Sequence, residues 1–139
     1  MLAAYRATDY QVWDDGRWLS VRLGRAAPAV ERLLQRLGAR TGAFVTAWNP
    51  RSHPTAPAEN AAAATALAAE IATRGLRALP HRGVGDDPVW PAEEGWFILD
   101  LDEAAARALA EAHGQNAIVW IEPGAAPRLV ETAWLLRDD

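Results

Sequence analysis

Seven residues, Gly95-Trp96-Phe97-Ile98-Leu99-Asp100-Leu101, form an almost unbroken apolar run. The run lacks the polar alternation of a half-exposed strand, so it reads as a central strand covered on both faces. Covering it takes apolar helices or further sheet on each side, which restricts the chain to layered α/β (α+β) architectures.

The flanking sequence supplies those layers. Tyr10–Trp13 and Arg17–Leu23 bracket Asp14-Asp15-Gly16, and Asp-Gly provides the positive φ angles of a tight hairpin turn. Pro28 opens a helix whose Val30, Leu33, Leu34 and Leu37 share one face, and Gly38 closes it. Ala43–Ala47 reads as a strand, followed by a polar loop from Trp48 to Ala56. Pro57 starts a second helix with the buried stripe Ala64, Leu67, Ala68 and Ile71, ending at Gly75. Leu76–Pro80 forms a short strand, and His81–Pro91, with Gly83, Gly85, Pro88 and Pro91, reads as an exposed loop.

After the central strand, Asp102 caps a third helix carrying Ala105, Leu109 and Ala112 and closed by Gly114. Strands at Asn116–Ile121 and Arg128–Trp134 complete the order β-β-α-β-α-β-β-α-β-β. Its middle, from Ala43 to Ile121, has the split β-α-β-β-α-β pattern of ferredoxin-like domains. A mixed sheet with three helices on one or both faces buries the same elements equally well. At 139 residues, one domain spanning 1–139 is expected.

Composition narrows the function. All 14 basic residues are arginines, but the net charge is −4, opposite to the basic excess of a nucleic-acid surface. No nucleic-acid partner is expected. Without cysteine there is no disulfide framework, zinc ribbon or thiol nucleophile. The opening Met1-Leu2-Ala3-Ala4-Tyr5-Arg6 lacks a secretory layout and no apolar run approaches a membrane span, so a cytoplasmic protein without a membrane partner is expected. The chain has no lysine-bearing phosphate loop, no GxGxxG and no GxSxG. Its histidines, His53, His81 and His113, show no metal-ligand spacing. No metal or cofactor is expected.

The richest chemistry lies in Thr46-Ala47-Trp48-Asn49-Pro50-Arg51-Ser52 with Glu59-Asn60. A strand end, loop and helix start is where α/β folds often place ligands. Trp48, Asn49, Arg51, Ser52, Glu59 and Asn60 offer stacking, amide, guanidinium, hydroxyl and carboxylate groups there. The same residues serve a structural role equally well: Asn before Pro starts turns, Asn60 can tie the loop to the helix, and Glu59 suits a helix N-terminus. Glu93-Glu94-Gly95-Trp96 offers Glu93 as a candidate general acid or base if burial raises its pKa. Gln115 and Asn116, between a helix end and a strand, carry amides suited to a ligand or to unpaired backbone.

These segments resemble the small bacterial family catalogued as domain of unknown function 3293. The likeness rests on Tyr5-Arg6-Ala7-Thr8-Asp9-Tyr10, on Ala47-Trp48-Asn49-Pro50 paired with Glu59-Asn60, on Glu93-Glu94-Gly95-Trp96 and on Gly114-Gln115-Asn116-Ala117. It extends over about 5–120 and implies a compact bacterial cytosolic protein, without implying an activity or ligand. At Gly95 the resemblance leads one to expect a small or hydroxyl residue.

Three functions compete. One is a ligand-binding or regulatory module for a small molecule, with Arg51 gripping an anionic group. Another is a small enzyme using Glu93. The last is an interaction protein, such as a homodimer, using Trp13 and Trp90 as exposed anchors.

Overall fold

Side-chain alternation along the middle strands divides the core into two layers. Phe44, Phe97, Leu99, Val119 and Ile121 face one side of the sheet. Ala43, Val45, Ile98, Ile118 and Trp120 face the other. The central strand is therefore covered on both faces, as its composition requires.

A computed structural model describes residues 2–138. The elements are α1 (Leu2–Ala7), β1 (Asp9–Asp14), β2 (Arg17–Val21), α2 (Pro28–Arg36), β3 (Gly42–Thr46), α3 (Pro57–Thr73), β4 (Ala78–Val84), β5 (Glu93–Leu99), α4 (Glu103–Ala112), β6 (Ala117–Ile121), β7 (Arg128–Glu131) and α5 (Ala133–Asp138). The strands form a seven-stranded sheet in the order β2-β1-β4-β5-β3-β6-β7. Every ladder in it is antiparallel, where the sequence suggested a mixed sheet. The reason lies in the crossovers. The connection through α3 leaves room for β5 between β3 and β4, and the one through α4 leaves room for β3 between β5 and β6. Two interleaved β-α-β units thus bring only antiparallel neighbours together.

On one face α2 packs Val30, Leu33 and Leu34 against the sheet beneath β1 and β2. On the other, α3 contributes Leu67 and Ile71, and α4 contributes Ala106, Leu109 and Ala110. The α4 stripe is turned slightly from the expected Ala105, Leu109 and Ala112; Ala112 is exposed. The β1–β2 turn forms as expected, with positive φ at Asp15 and Gly16. Asp102 caps α4 by accepting the Ala105 N–H at 2.7 Å. Asp102→Ala should lower stability by about 1 kcal/mol, read by chemical denaturation, whereas Asp102→Ser should largely preserve it.

Three segments depart from the sequence expectation. The chain begins with α1, which has no strong apolar stripe. β4 continues through Gly83 to Val84, where the glycines suggested a loop, because Asp9–Val12 of β1 pair with it along Val84–His81. β7 stops at Glu131, and α5 replaces the rest of the expected strand up to Trp134. The Thr132 hydroxyl accepts the Trp134 N–H at 3.3 Å, a helix-starting contact. Among the described residues the three expected helices are α2, α3 and α4, and the six-residue α1 and α5 add to them. No helix among the described residues is long and apolar enough to cross a membrane.

Candidate functional site

The loop after β3 is held in an unusual backbone conformation. Asn49, Arg51 and Ser52 all have positive φ, at 48°, 56° and 62°. Asparagine tolerates this region, but arginine and serine seldom adopt it, and such strain persists only where surrounding bonds enforce it.

Those bonds come from the residues singled out in the sequence. Asn60 lies on the buried face of α3, seven residues before Leu67, and is only 5% exposed. Its Oδ1 accepts the Asn49 N–H at 2.9 Å, while its Nδ2 donates to Asn49 Oδ1 at 3.1 Å and to the Thr55 carbonyl at 3.2 Å. Asn49 Oδ1 also accepts the Thr55 N–H at 2.9 Å. Gln115 donates from Nε2 to the Trp48 carbonyl at 3.1 Å, and Asn116 donates from Nδ2 to Ser52 Oγ at 3.2 Å. The Arg51 N–H donates to the Gly114 carbonyl at 2.7 Å, clamping the loop onto the end of α4. Asn60 and Gln115 thus form the frame of the loop.

The open valence of this frame is aimed at Glu93. Asn49 Nδ2 donates to Glu93 Oε1 at 2.7 Å, close enough for direct cooperation. Burial holds the Glu93 carboxyl above the usual carboxylate range, opposed by the Asn49 hydrogen bond. No cation pairs with it among the described residues. Cross-strand register places Tyr10, Gly83 and Glu93 in one row over β1, β4 and β5. Gly83 leaves that row without a side chain between the tyrosine and the carboxyl.

The tyrosines complete the cluster. Tyr5 of α1 shares a hydrogen bond with Ser52 and senses the charges of Glu93 and Glu131; burial, the largest cause, raises its pKa. Burial likewise raises Tyr10, with Tyr5 and Glu93 adding to the effect. His81 packs 4.7 Å from the Phe44 ring centroid and 6.2 Å from that of Tyr10, and its Nδ1 lies 2.9 Å from the Gln11 carbonyl. That contact calls for the tautomer with the proton on Nδ1, which donates to the carbonyl. Burial pushes His81 down to about 4, despite the opposing Gln11 bond. The ring should stay neutral at pH 5 in a proton NMR titration, where an exposed histidine is already charged. Because the unfolded chain takes up this proton near 6.5, the stabilisation from neutral His81 is complete above that pH and fades as pH falls toward 4.

The remaining expected residues divide. Trp48 is half-buried, and its Nε1–H has no acceptor among the described residues. Arg51 lays its guanidinium over the Trp134 ring, 5.0 Å from the centroid. Glu59 is exposed in the first turn of α3 and belongs to none of these bonds. Tyr5, Tyr10, Thr55 and His81 were not legible as site residues, although the tyrosines carried part of the family likeness. Trp13 and Trp90 are 37% and 62% exposed. No group of three or more metal-ligating side chains occurs among the described residues. Two surface clefts, of about 550 Å³ beside β7 and about 450 Å³ beside the β1–β2 turn, are lined by none of Asn49, Asn60, Glu93 and Gln115.

Gly95 has a physical explanation. A Cβ there would sit 2.3 Å from the Val45 carbonyl oxygen and 3.0 Å from His81 Cδ2. In this chain even alanine is too large, so the expected hydroxyl residue has no room.

Comparison with known proteins matches no curated relative and no solved structure. One family model matches, described as a protein of unknown function (DUF3293), over residues 45–118. That match runs from β3 through the strained loop, Asn60, Glu93 and Gln115–Asn116 into β6, more than half of the chain; the chain belongs to the DUF3293 family.

Proposed function

We propose that the Glu93 cluster binds a small polar ligand, with Glu93, Ser52 and Tyr5 as contact groups and the Asn49–Asn60–Thr55 network as their rigid frame. The observation that carries this reading is the pairing of a strained loop with a buried carboxyl lacking a cationic partner. Neither feature favours stability, and costs of this kind collect at functional sites. The unpartnered Trp48 N–H offers a further donor beside the loop.

A catalytic reading has one specific support. A carboxyl with a raised pKa beside a tyrosine hydroxyl is the arrangement a general acid or base uses, so Glu93 would move a proton on the bound molecule. Both readings make Glu93 indispensable. Isothermal titration against nucleotides, amino acids and sugar phosphates should yield a ligand whose affinity falls about tenfold or more in Glu93→Gln, with the fold intact. Affinity unchanged by that substitution would move the site elsewhere.

A further inference from the structure

We infer a second site, for a small phosphate-type oxyanion, in the cleft between the β1–β2 turn and α2. This cleft of about 450 Å³ is lined by Asp14, Asp15, Arg17, Ala29, Arg32, Gln35 and Arg36. It lies at the other end of β1 from the Tyr10–Gly83–Glu93 row and is independent of the Glu93 reading.

The charge arrangement is specific. Arg36 donates to Asp14 Oδ2 at 2.5 Å, which neutralises that pair and ties the hairpin to the helix. Arg17 and Arg32 form no ion pair among the described residues, yet both line the cleft. Among the lining residues, Asp15 is the one carboxylate without an ion-pair partner to set against their two positive charges. A chain of net charge −4 thus holds a local positive excess, walled by a hairpin turn on one side and a helix face on the other. Two guanidinium forks with free N–H donors suit the several acceptor oxygens of phosphate, and the Gln35 amide adds a neutral donor. Ala29 adds only a methyl group to the lining.

The test is NMR titration of the full chain with inorganic phosphate and, separately, with a nucleoside monophosphate, against chloride at matched ionic strength. The site predicts saturable shifts confined to amides 14–17 and 29–36, with affinity reduced about tenfold by Arg17→Gln or Arg32→Gln. Asp15→Asn removes the opposing charge and keeps a residue that tolerates the turn's positive φ, so it should tighten binding. Tighter binding of the ester than of free phosphate would identify a phosphorylated metabolite as the source; the reverse would identify inorganic phosphate. No saturable shift with either anion overturns the site. So does binding that survives Arg17→Gln/Arg32→Gln, or binding that weakens in Asp15→Asn.

Discussion

Gly95→Ala should destabilise the protein by roughly 3 kcal/mol, the upper range for forcing a methyl group into a packed interior. The new carbon would meet the Val45 carbonyl oxygen at 2.3 Å and Thr46 Cα at 3.0 Å, both backbone atoms of a paired strand. Neither can rotate away, since Val45 pairs with Trp96 and Thr46 with Gly95 itself. Relief requires parting β3 from β5 at the centre of the sheet. His81 offers no escape, because its ring is held by the Gln11 carbonyl. Urea denaturation measures the loss. Gly85→Ala is a fitting control, since a Cβ there meets nothing within 4 Å, and it should change stability little.

Asn60→Ala should cost a similar amount, roughly 3 kcal/mol, through lost hydrogen bonds rather than crowding. Three hydrogen bonds are lost at once, those to the Asn49 N–H, to Asn49 Oδ1 and to the Thr55 carbonyl. With them goes the restraint on the positive-φ backbone at Asn49, so the loop should relax toward ordinary conformations. Asn60→Asp discriminates between packing and bonding. It keeps the shape and the acceptor for Asn49 N–H but loses both donors and sets a carboxylate beside Asn49 Oδ1. It should therefore also be destabilised, and amide exchange should rise across 48–55 in both variants. A variant as stable as the parent, with unchanged exchange, would show that Asn60 does not hold the loop.

These two positions show what local sequence carries and what it omits. The apolar run at 95–101 announced a central strand, and the structure covers it on both faces. The helices at Pro28 and Pro57 began where proline removes an N–H that no helix turn would have used. Gly83 resembles a loop residue, and only its partners Tyr10 and Glu93, distant in sequence, make it a β4 position. Leu129, Val130 and Trp134 suit strand or helix equally, and the Thr132 hydroxyl that starts α5 is the one local signal separating them. At the loop, the amides that stand out in the sequence come together, but the sequence leaves two roles open for Asn60. Its seven-residue spacing from Leu67 puts it on the buried face of α3, where it frames the loop. Tyr10 approaches Glu93 through the β1–β4–β5 register and Tyr5 arrives on α1, and no local pattern encodes either placement.

The direct test of the Glu93 reading is the stability of Glu93→Gln across pH. In the folded protein burial lifts this carboxyl above its ordinary 4.5, so between those values the native state holds a proton the unfolded chain has released. Glu93 accordingly weakens the fold as pH rises through that window, while a glutamine keeps an oxygen for Asn49 and carries no charge. Denaturation curves should show the variant gaining on the parent from pH 4 to pH 8 and exceeding it at neutrality. If Glu93→Gln is instead the less stable protein at pH 7, the carboxylate is a structural tie, and no ligand is needed to account for it.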